Sequence, residues 1–293
     1  MAAIEVHQLT YSYPTSSAPA LRDISLQIEP GQFTAILGAN NAGKTTLCLA
    51  MAGLIPALYH GSMQGTVKIE GMDTRQHGPD QFAGRVGLVL QNPANQLSGM
   101  RYTVFEEVAF GLENLGIPRP EMKMRVEQAL AFVGLETFGG RSPYALSGGQ
   151  QQRLALASIL AMQPSILVLD EPTAMLDPQG SQEIIEIIQK MAQADTTVII
   201  AEHQFEWVAR YADRVIALAN GEVILDGSPQ TVLSSPALLA SKIGWLRYTH
   251  AAHQASQRGG WPDKRPLPVT LEQAAEGFQS GQTFQEKQDA DPD

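Results

Sequence analysis

The sequence predicts an α/β fold built on a parallel sheet, and three observations predict it. The stretch Gly38-Ala39-Asn40-Asn41-Ala42-Gly43-Lys44-Thr45-Thr46 fits G-x-x-x-x-G-K-[ST] and stands between a strand-like run, FTAIL, and a helical run, KTTLCLAMAGL. Two short runs, SILVLD and TTVIIAEH, are apolar without alternation, as expected for central strands covered on both faces. A helical run, SQEIIEIIQKMAQA, lies between them.

The elements follow in order. Residues 1–37 carry strand-like runs, IEVHQLTYSY, LRDISLQIEPG and QFTAIL, with Pro30-Gly31 as a turn before the last. After the glycine loop and its helix come two more strands, GTVKIEG and RVGLVLQ. From Val104 to about Met162 the text is mostly helical, with Pro118, Pro120 and Pro143 as breakers. Beyond the two apolar strands, RVIALANGEVILDG reads as a hairpin turning at Asn220-Gly221. Each motif occurs once, without internal repeats.

Composition narrows the function. A chain of 293 residues with 44% hydrophobic residues can bury a full core. A net charge of −10 argues against a sequence-independent grip on nucleic acid. The single cysteine, Cys48, rules out an intrachain disulfide and a four-cysteine zinc site. No signal peptide is evident in MAAIEVHQLTYSY, and no apolar run approaches the ~18 residues that span a bilayer. The expected location is cytosolic, with any membrane role supplied by partners.

Three motifs carry chemistry. In the glycine loop, inward-pointing backbone N–H groups and a helix N-terminus suit a phosphate chain. Lys44 is placed to reach the β- and γ-phosphates, and Thr45 to offer its hydroxyl to Mg²⁺. Asn41 is compatible with the loop because asparagine tolerates left-handed φ better than other non-glycine residues. The second motif, ILVLDEP, ends a buried strand on Asp170 and Glu171. There the aspartate can orient Mg²⁺ through water and the glutamate can polarise an attacking water as general base. The third, Ser147-Gly148-Gly149-Gln150, opens a helix; Ser147 can cap it, and the glycines leave N–H groups open to an anion. A second anion-binding terminus exceeds what one phosphate tail needs.

With LSGGQ just upstream of ILVLDEP, the sequence resembles the ATP-binding cassette (ABC) family over about residues 4–232. The resemblance implies a P-loop NTPase with a RecA-like core, an antiparallel β subdomain, a helical subdomain and ATP hydrolysis. It also implies a head-to-tail cassette dimer, with ATP between the phosphate loop of one copy and the LSGGQ of the other. Residue by residue, Tyr13 in YSYP matches the aromatic that stacks on adenine. Gln91 in VLQNP matches the glutamine that touches Mg²⁺ and senses the membrane partner. Asp177 in AMLDP matches the aspartate that crosses the dimer interface, although Met175 before it is less usual. His203 in VIIAEHQ matches the histidine that contacts the γ-phosphate.

A finer resemblance lies in QNPANQ (91–96) and VFEEVAFGLENLGIP (104–118), which look like ATPase subunits of energy-coupling-factor transporters. These import vitamins or transition-metal ions in prokaryotes. The resemblance implies a second cassette, identical or paralogous, a transmembrane T component, a substrate-binding membrane S component and a peripheral position on the cytoplasmic face of the membrane. Glu106 and Glu107 are candidates for the T-component groove. The alternatives are another ABC transporter class or a non-transport cassette acting on nucleic acid, for which the acidity gives no support.

The expected domains are an ATPase domain over 1–234, with its helical part at about 92–162, and a C-terminal helical appendage over 235–278. Residues 279–293 are expected to form a disordered tail. In the appendage, SPALLASKIGW reads as a short helix. VTLEQAAEGF follows as one of about two turns, with Thr270 and Gln273 at capping-box spacing. By resemblance such helices join two subunits. His250 and His253 lack further ligands for a metal and read as solvated.

Overall fold

The structure, a computed structural model, describes residues 1–262 and 265–289. Among the described residues ten strands form two sheets. An antiparallel sheet of order β2-β1-β4-β5 uses β1 (Ile4–Ser12), β2 (Leu21–Ile28), β4 (Ser62–Ile69) and β5 (Met72–Asp73). The core sheet has order β10-β9-β3-β8-β7-β6. In it β3 (Phe33–Gly38), β6 (Val86–Val89), β7 (Ile166–Asp170), β8 (Thr197–Ala201) and β9 (Arg214–Ala219) run parallel. The edge strand β10 (Glu222–Gly227) returns antiparallel through Asn220 and Gly221, at φ 52 and 81. Both turn residues are left-handed, as a tight hairpin turn of this kind requires.

The apolar runs are explained by two cores. Ala35, Leu37, Leu167, Leu169, Val198, Ile200, Val215 and Ala217 face one hydrophobic cluster. Their neighbours Ile36, Ile166, Val168, Ile199, Ile216 and Leu218 face the other. A strand buried on both sides has no polar face to alternate with. The second cluster also holds Leu47, Cys48 and Met51 of helix α1 (Lys44–Met51) and Ile4, Val6 and Ile24 of the antiparallel sheet. The helix after the glycine loop is thus clamped between the sheets, which fixes the loop itself.

A one-turn helix, α2 (Pro79–Phe82), precedes β6, and the helical part follows it as α3 (Val104–Asn114), α4 (Arg119–Phe132) and α5 (Gly148–Ala161). The prolines expected to break helices instead start them. Pro118 is the residue before α4, Pro120 lies in its first turn and Pro143 opens a 3₁₀ turn, positions where the missing N–H costs nothing. Helices α6 (Pro178–Ala192) and α7 (Phe205–Tyr211) flank β8, and α8 (Pro229–Leu233) follows β10.

The C-terminal section is more helical than expected. Besides α9 (Pro236–Ala240) it contains α10 (Arg247–Ser256), and α11 runs from Leu271 to Asp289. The segment assigned to a disordered tail is therefore helical over 279–289, while 290–293 lie outside the described residues. Between Leu271 and Asp289 the sequence has no proline, so nothing stops the helix after two turns. Thr270 Oγ1 accepts from the Gln273 N–H at 3.3 Å; the Gln273 side chain accepts from Val269 N–H at 2.8 Å, one residue short of the usual reciprocal cap. The helix packs on its own chain: Trp261 is 3% exposed and meets Phe278 edge-on at 5.2 Å. A Cβ at Gly277 would lie 2.0 Å from the Trp261 ring, so only glycine admits this contact. His250 and His253 lie against the Trp245 ring at 6.3 and 5.2 Å.

Candidate active site

The carboxyl ends of β3, β6 and β7, with the end of β1, bring residues from distant parts of the chain to one cavity of about 550 Å³. Its lining includes Tyr13, Asn40 to Thr46, Gln91 and Glu171. The phosphate loop is held by its backbone. Asn41 has φ 64 and Gly43 φ 104, so the left-handed turn expected at Asn41 is present. A Cβ on Gly38 would meet Leu218 O at 2.8 Å, and one on Gly43 would meet Ala20 O at 2.7 Å. Both glycines are thus demanded by close backbone approach.

Lys44 is 5% exposed and turns back over its loop, donating to Gly38 O at 2.9 Å and Ala39 O at 3.3 Å. Its Nζ also lies 3.1 Å from Glu171 Oε1 and 3.3 Å from His203 Nε2. Glu171 sits at φ 49, and its Oε1 lies 2.7 Å from His203 Nε2. Its Oε2 accepts from Gln91 Nε2 at 3.1 Å. Lys44, Gln91, Glu171 and His203 therefore form one network. The hydrogen bond with His203, followed by that with Lys44, holds Glu171 down at about 2 against the usual value near 4.5. It is ionised throughout the neutral range.

Asp170, one residue back, behaves oppositely. It is 4% exposed, and burial pushes its carboxyl up, opposed by a hydrogen bond from Thr45. Its Oδ1 is buried without a hydrogen-bond partner among the described residues. The orphaned carboxylate oxygen of Asp170, whose carboxyl takes a hydrogen bond from Thr45, and the Thr45 hydroxyl and Gln91 amide oxygen on the cavity lining make an all-oxygen donor set. That set fits a hard divalent cation such as Mg²⁺.

Tyr13 stands at the cavity wall. Its hydroxyl is 3.1 Å from Thr46 Oγ1, and its ring is edge-on to Tyr11 and Tyr59. Ser147, Gly148, Gly149 and Gln150 do not line this cavity. Ser147 and Gln150 form a reciprocal capping box at the start of α5. The N–H groups of Gly148 and Gly149, first in the helix, have no intrahelical acceptor, and a Cβ on Gly148 would meet nothing within 4 Å. Asp177, exposed, caps α6 by accepting from Gly180 N–H at 2.7 Å.

Sequence reasoning named Gln96 within its motif and Glu107 as a groove residue, but gave neither the role of holding the glutamine loop. Gln96 bonds back to its own strand end, accepting from Leu90 N–H at 2.9 Å and donating to Leu88 O at 2.8 Å. Glu107, offered above as a groove residue, is 5% exposed and accepts from Ser98 N–H at 2.6 Å and Ser98 Oγ at 2.8 Å. It is an internal brace and presents nothing to a partner. Glu106 is exposed but engaged as the capping-box partner of Thr103 at the start of α3. The EEV spacing held the clue for Glu106, since T-x-x-E precedes an apolar helix face. Glu202, 3% exposed, was missed.

Comparison with known proteins agrees with this geometry. The ABC transporter family model matches residues 21–174. An energy-coupling factor transporter ATP-binding protein, EcfA1, of Levilactobacillus brevis is 40% identical over 275 residues, covering 93% of this chain and 94% of the relative. The chain belongs to the ABC transporter ATPase family. It is an ATP-binding subunit of an ABC transporter, and ATP hydrolysis is the family's activity. The solved structure of cbiO1 from Clostridium perfringens, described as part of the ABC transporter complex cbiONQ, superposes on the cassette with a TM-score of 0.70. It is 33% identical and covers 88% of this chain and 95% of that one. A cassette solved as a dimer in a post-hydrolysis state with ADP and Pi gives a TM-score of 0.67 at 27% identity, over 77% of this chain and 98% of that one. Among the described residues no helix of the cassette is long and apolar enough to cross a membrane.

Proposed function

We propose that the cassette binds and hydrolyses MgATP to energise an energy-coupling-factor importer of a vitamin or transition-metal ion. It works with a second cassette, identical or paralogous, at the cytoplasmic face of the membrane. A T component docks beside the glutamine loop, and a membrane S component reads the substrate. The EcfA1 relative and the cbiO1 neighbour support the transporter class. The observation that carries the hydrolytic reading is the convergence of Lys44, Gln91 and His203 on Glu171.

The network makes a switch. In the described state Lys44 and His203 are spent on Glu171, which keeps the carboxylate ionised but poorly basic. A triphosphate in the loop competes for both. As Lys44 turns to the β- and γ-phosphates and His203 to the γ-phosphate, Glu171 regains basicity and can take a proton from water aligned for in-line attack. Mg²⁺ held by Thr45, Gln91 and, through water, Asp170 would neutralise charge on the β- and γ-phosphates. Tyr13 offers its ring to adenine. Ser147 to Gln150 serve the ATP of the partner cassette, and Asp177 crosses to it, so closure of the pair completes each site.

The test separates base from ligand. Glu171→Gln should lower kcat by about 10²- to 10⁴-fold while ATP still binds. Lys44→Ala should weaken ATP binding itself by about tenfold or more, as the loss of a charged hydrogen bond implies. Wild-type turnover in the first variant would remove Glu171 as base. Purification from membranes should bring T and S components with the chain; stimulation by DNA instead would point to a non-transport cassette.

A further inference from the structure

Glu202 is a buried acid that this chemistry does not use. It follows β8 directly and precedes His203. Its neighbours in the fold include Phe33, Ile185, Ile200 and Trp207, an apolar surrounding for a carboxylate. Among the described residues no lysine, arginine or histidine forms an ion pair with it. Instead Oε1 accepts from the Thr173 hydroxyl, and Oε2 accepts from the backbone N–H of His203 at 2.8 Å and of Gln204 at 3.3 Å. Burying a carboxylate without a counter-charge is costly, so stability alone is a poor reason to keep it there.

What Glu202 joins gives the reason. Its own N–H donates to Ile36 O at 3.2 Å, two residues before the phosphate loop. Thr173, 3% exposed, belongs to the turn that follows Glu171: Ala174 N–H donates to Glu171 O at 3.2 Å, and Leu176 N–H to Thr173 O at 3.1 Å. That turn leads directly into Asp177. Glu171 itself donates its N–H to Ala201 O at 3.0 Å. Among the described residues, the other links between the segments after β7 and β8 here are the sheet itself, the Glu171–His203 contact and Lys44, which touches both of those side chains.

We propose that Glu202 is a positioning residue for ATP hydrolysis, locking Thr173 and the backbone at His203 and Gln204 into one unit. Glu171, His203 and the start of the Asp177 turn then move together when a second cassette closes on the site. The inference rests on the reading of Glu171 and His203 given above. Glu202 touches no reacting atom; it acts through the residues on either side.

Thr173→Val keeps the shape and removes the hydroxyl, and Thr173→Ser restores it. In the purified full-length cassette, Thr173→Val should lower kcat about tenfold, the loss expected when a catalytic pair is misplaced, with KM for ATP within about twofold of wild type. Thr173→Ser should recover most of the rate. The effect of Thr173→Val should largely vanish in a Glu202→Leu background, which removes the acceptor of the Thr173 hydroxyl, because the two side chains act as one unit. Wild-type kcat in Thr173→Val overturns the inference. So do additive effects in the double variant, or a loss of rate that tracks a loss of thermal stability. The Glu171→Gln control keeps the two readings apart. If it leaves turnover intact, the base assignment has failed; if it abolishes turnover while Thr173→Val does nothing, only the role of Glu202 has failed.

Discussion

Two loops leave parallel strands of the core sheet and meet at Glu171, yet they are held by different means. The phosphate loop after β3 is shaped by its main chain: left-handed φ at Asn41 and Gly43, and backbone oxygens of Leu218 and Ala20 pressed against Gly38 and Gly43. The glutamine loop after β6 is shaped by side chains. Gln96 ties it back to Leu88 and Leu90, and Glu107 ties Ser98 to α3. A backbone-held loop has fixed geometry before any ligand arrives. A side-chain-held loop can exchange its hydrogen bonds, which suits a segment proposed to signal between ATP and a membrane partner.

The comparison breaks most sharply at Gly43. A Cβ there would lie 2.7 Å from Ala20 O and 3.0 Å from Leu21 Cδ2, at φ 104. Forcing a side chain into such a conformation costs on the order of 1–3 kcal/mol. If that strain falls on the ATP-ready loop, Gly43→Ala should weaken ATP binding by roughly 5- to 150-fold. Isothermal titration with a non-hydrolysable ATP analogue measures it. Wild-type affinity would show that the loop is not held by its backbone.

A middle-sized effect is expected in the other loop. Glu107→Ala leaves the Ser98 N–H without its acceptor, a loss of about 1–3 kcal/mol. Amide hydrogen exchange over residues 90–98 should accelerate, while ATP affinity of the isolated cassette stays close to wild type. If affinity falls as far as in Gly43→Ala, the two loops are one rigid unit and the contrast between them is void.

The same contrast explains what could be read in the sequence. Where geometry forces a residue type, the letter reports the geometry. Gly38 and Gly43, the Asn220-Gly221 turn and the apolar strands buried on both faces were all legible for this reason. Ser147 was legible as a cap because a cap lies next to the helix it serves. The bracing roles of Gln96, Glu107 and Glu202 were not, because a side chain that braces another segment leaves no period or spacing behind. Glu202 reaches Thr173 across 29 positions of sequence. Helix α10 was missed because its buried residues are Thr249 and Ala252, too small and too polar to draw an apolar stripe. Family resemblance supplied Gln91 and His203; neither could have been singled out from strand ends alone.

The smallest effect belongs to Asn41, and it tests the backbone account most finely. At φ 64 this residue occupies a conformation that costs most L-residues roughly 1–2 kcal/mol and asparagine less. Asn41→Gly removes that residual cost but adds freedom to the unfolded chain, worth roughly 0.5–1 kcal/mol in the opposite direction. Stability should therefore change little, and ATP affinity should stay within about twofold of wild type or improve slightly, since less than about 0.4 kcal/mol is at stake. Asn41→Val is the discriminating partner. A β-branched side chain is a conformational outlier at positive φ, so the loop must open or the residue must carry the strain. Its ATP affinity should fall by roughly 5- to 30-fold if about 1–2 kcal/mol is transferred to the bound state. Both variants keep Lys44 and Thr45, and Asn41 is exposed, so lost packing cannot account for a difference between them. A glycine variant that binds like wild type beside a valine variant that binds poorly places the demand on the main chain. Equal affinity in the two variants would mean that the loop accepts other backbone shapes at this position, and that its fixed geometry resides in Gly38 and Gly43 alone.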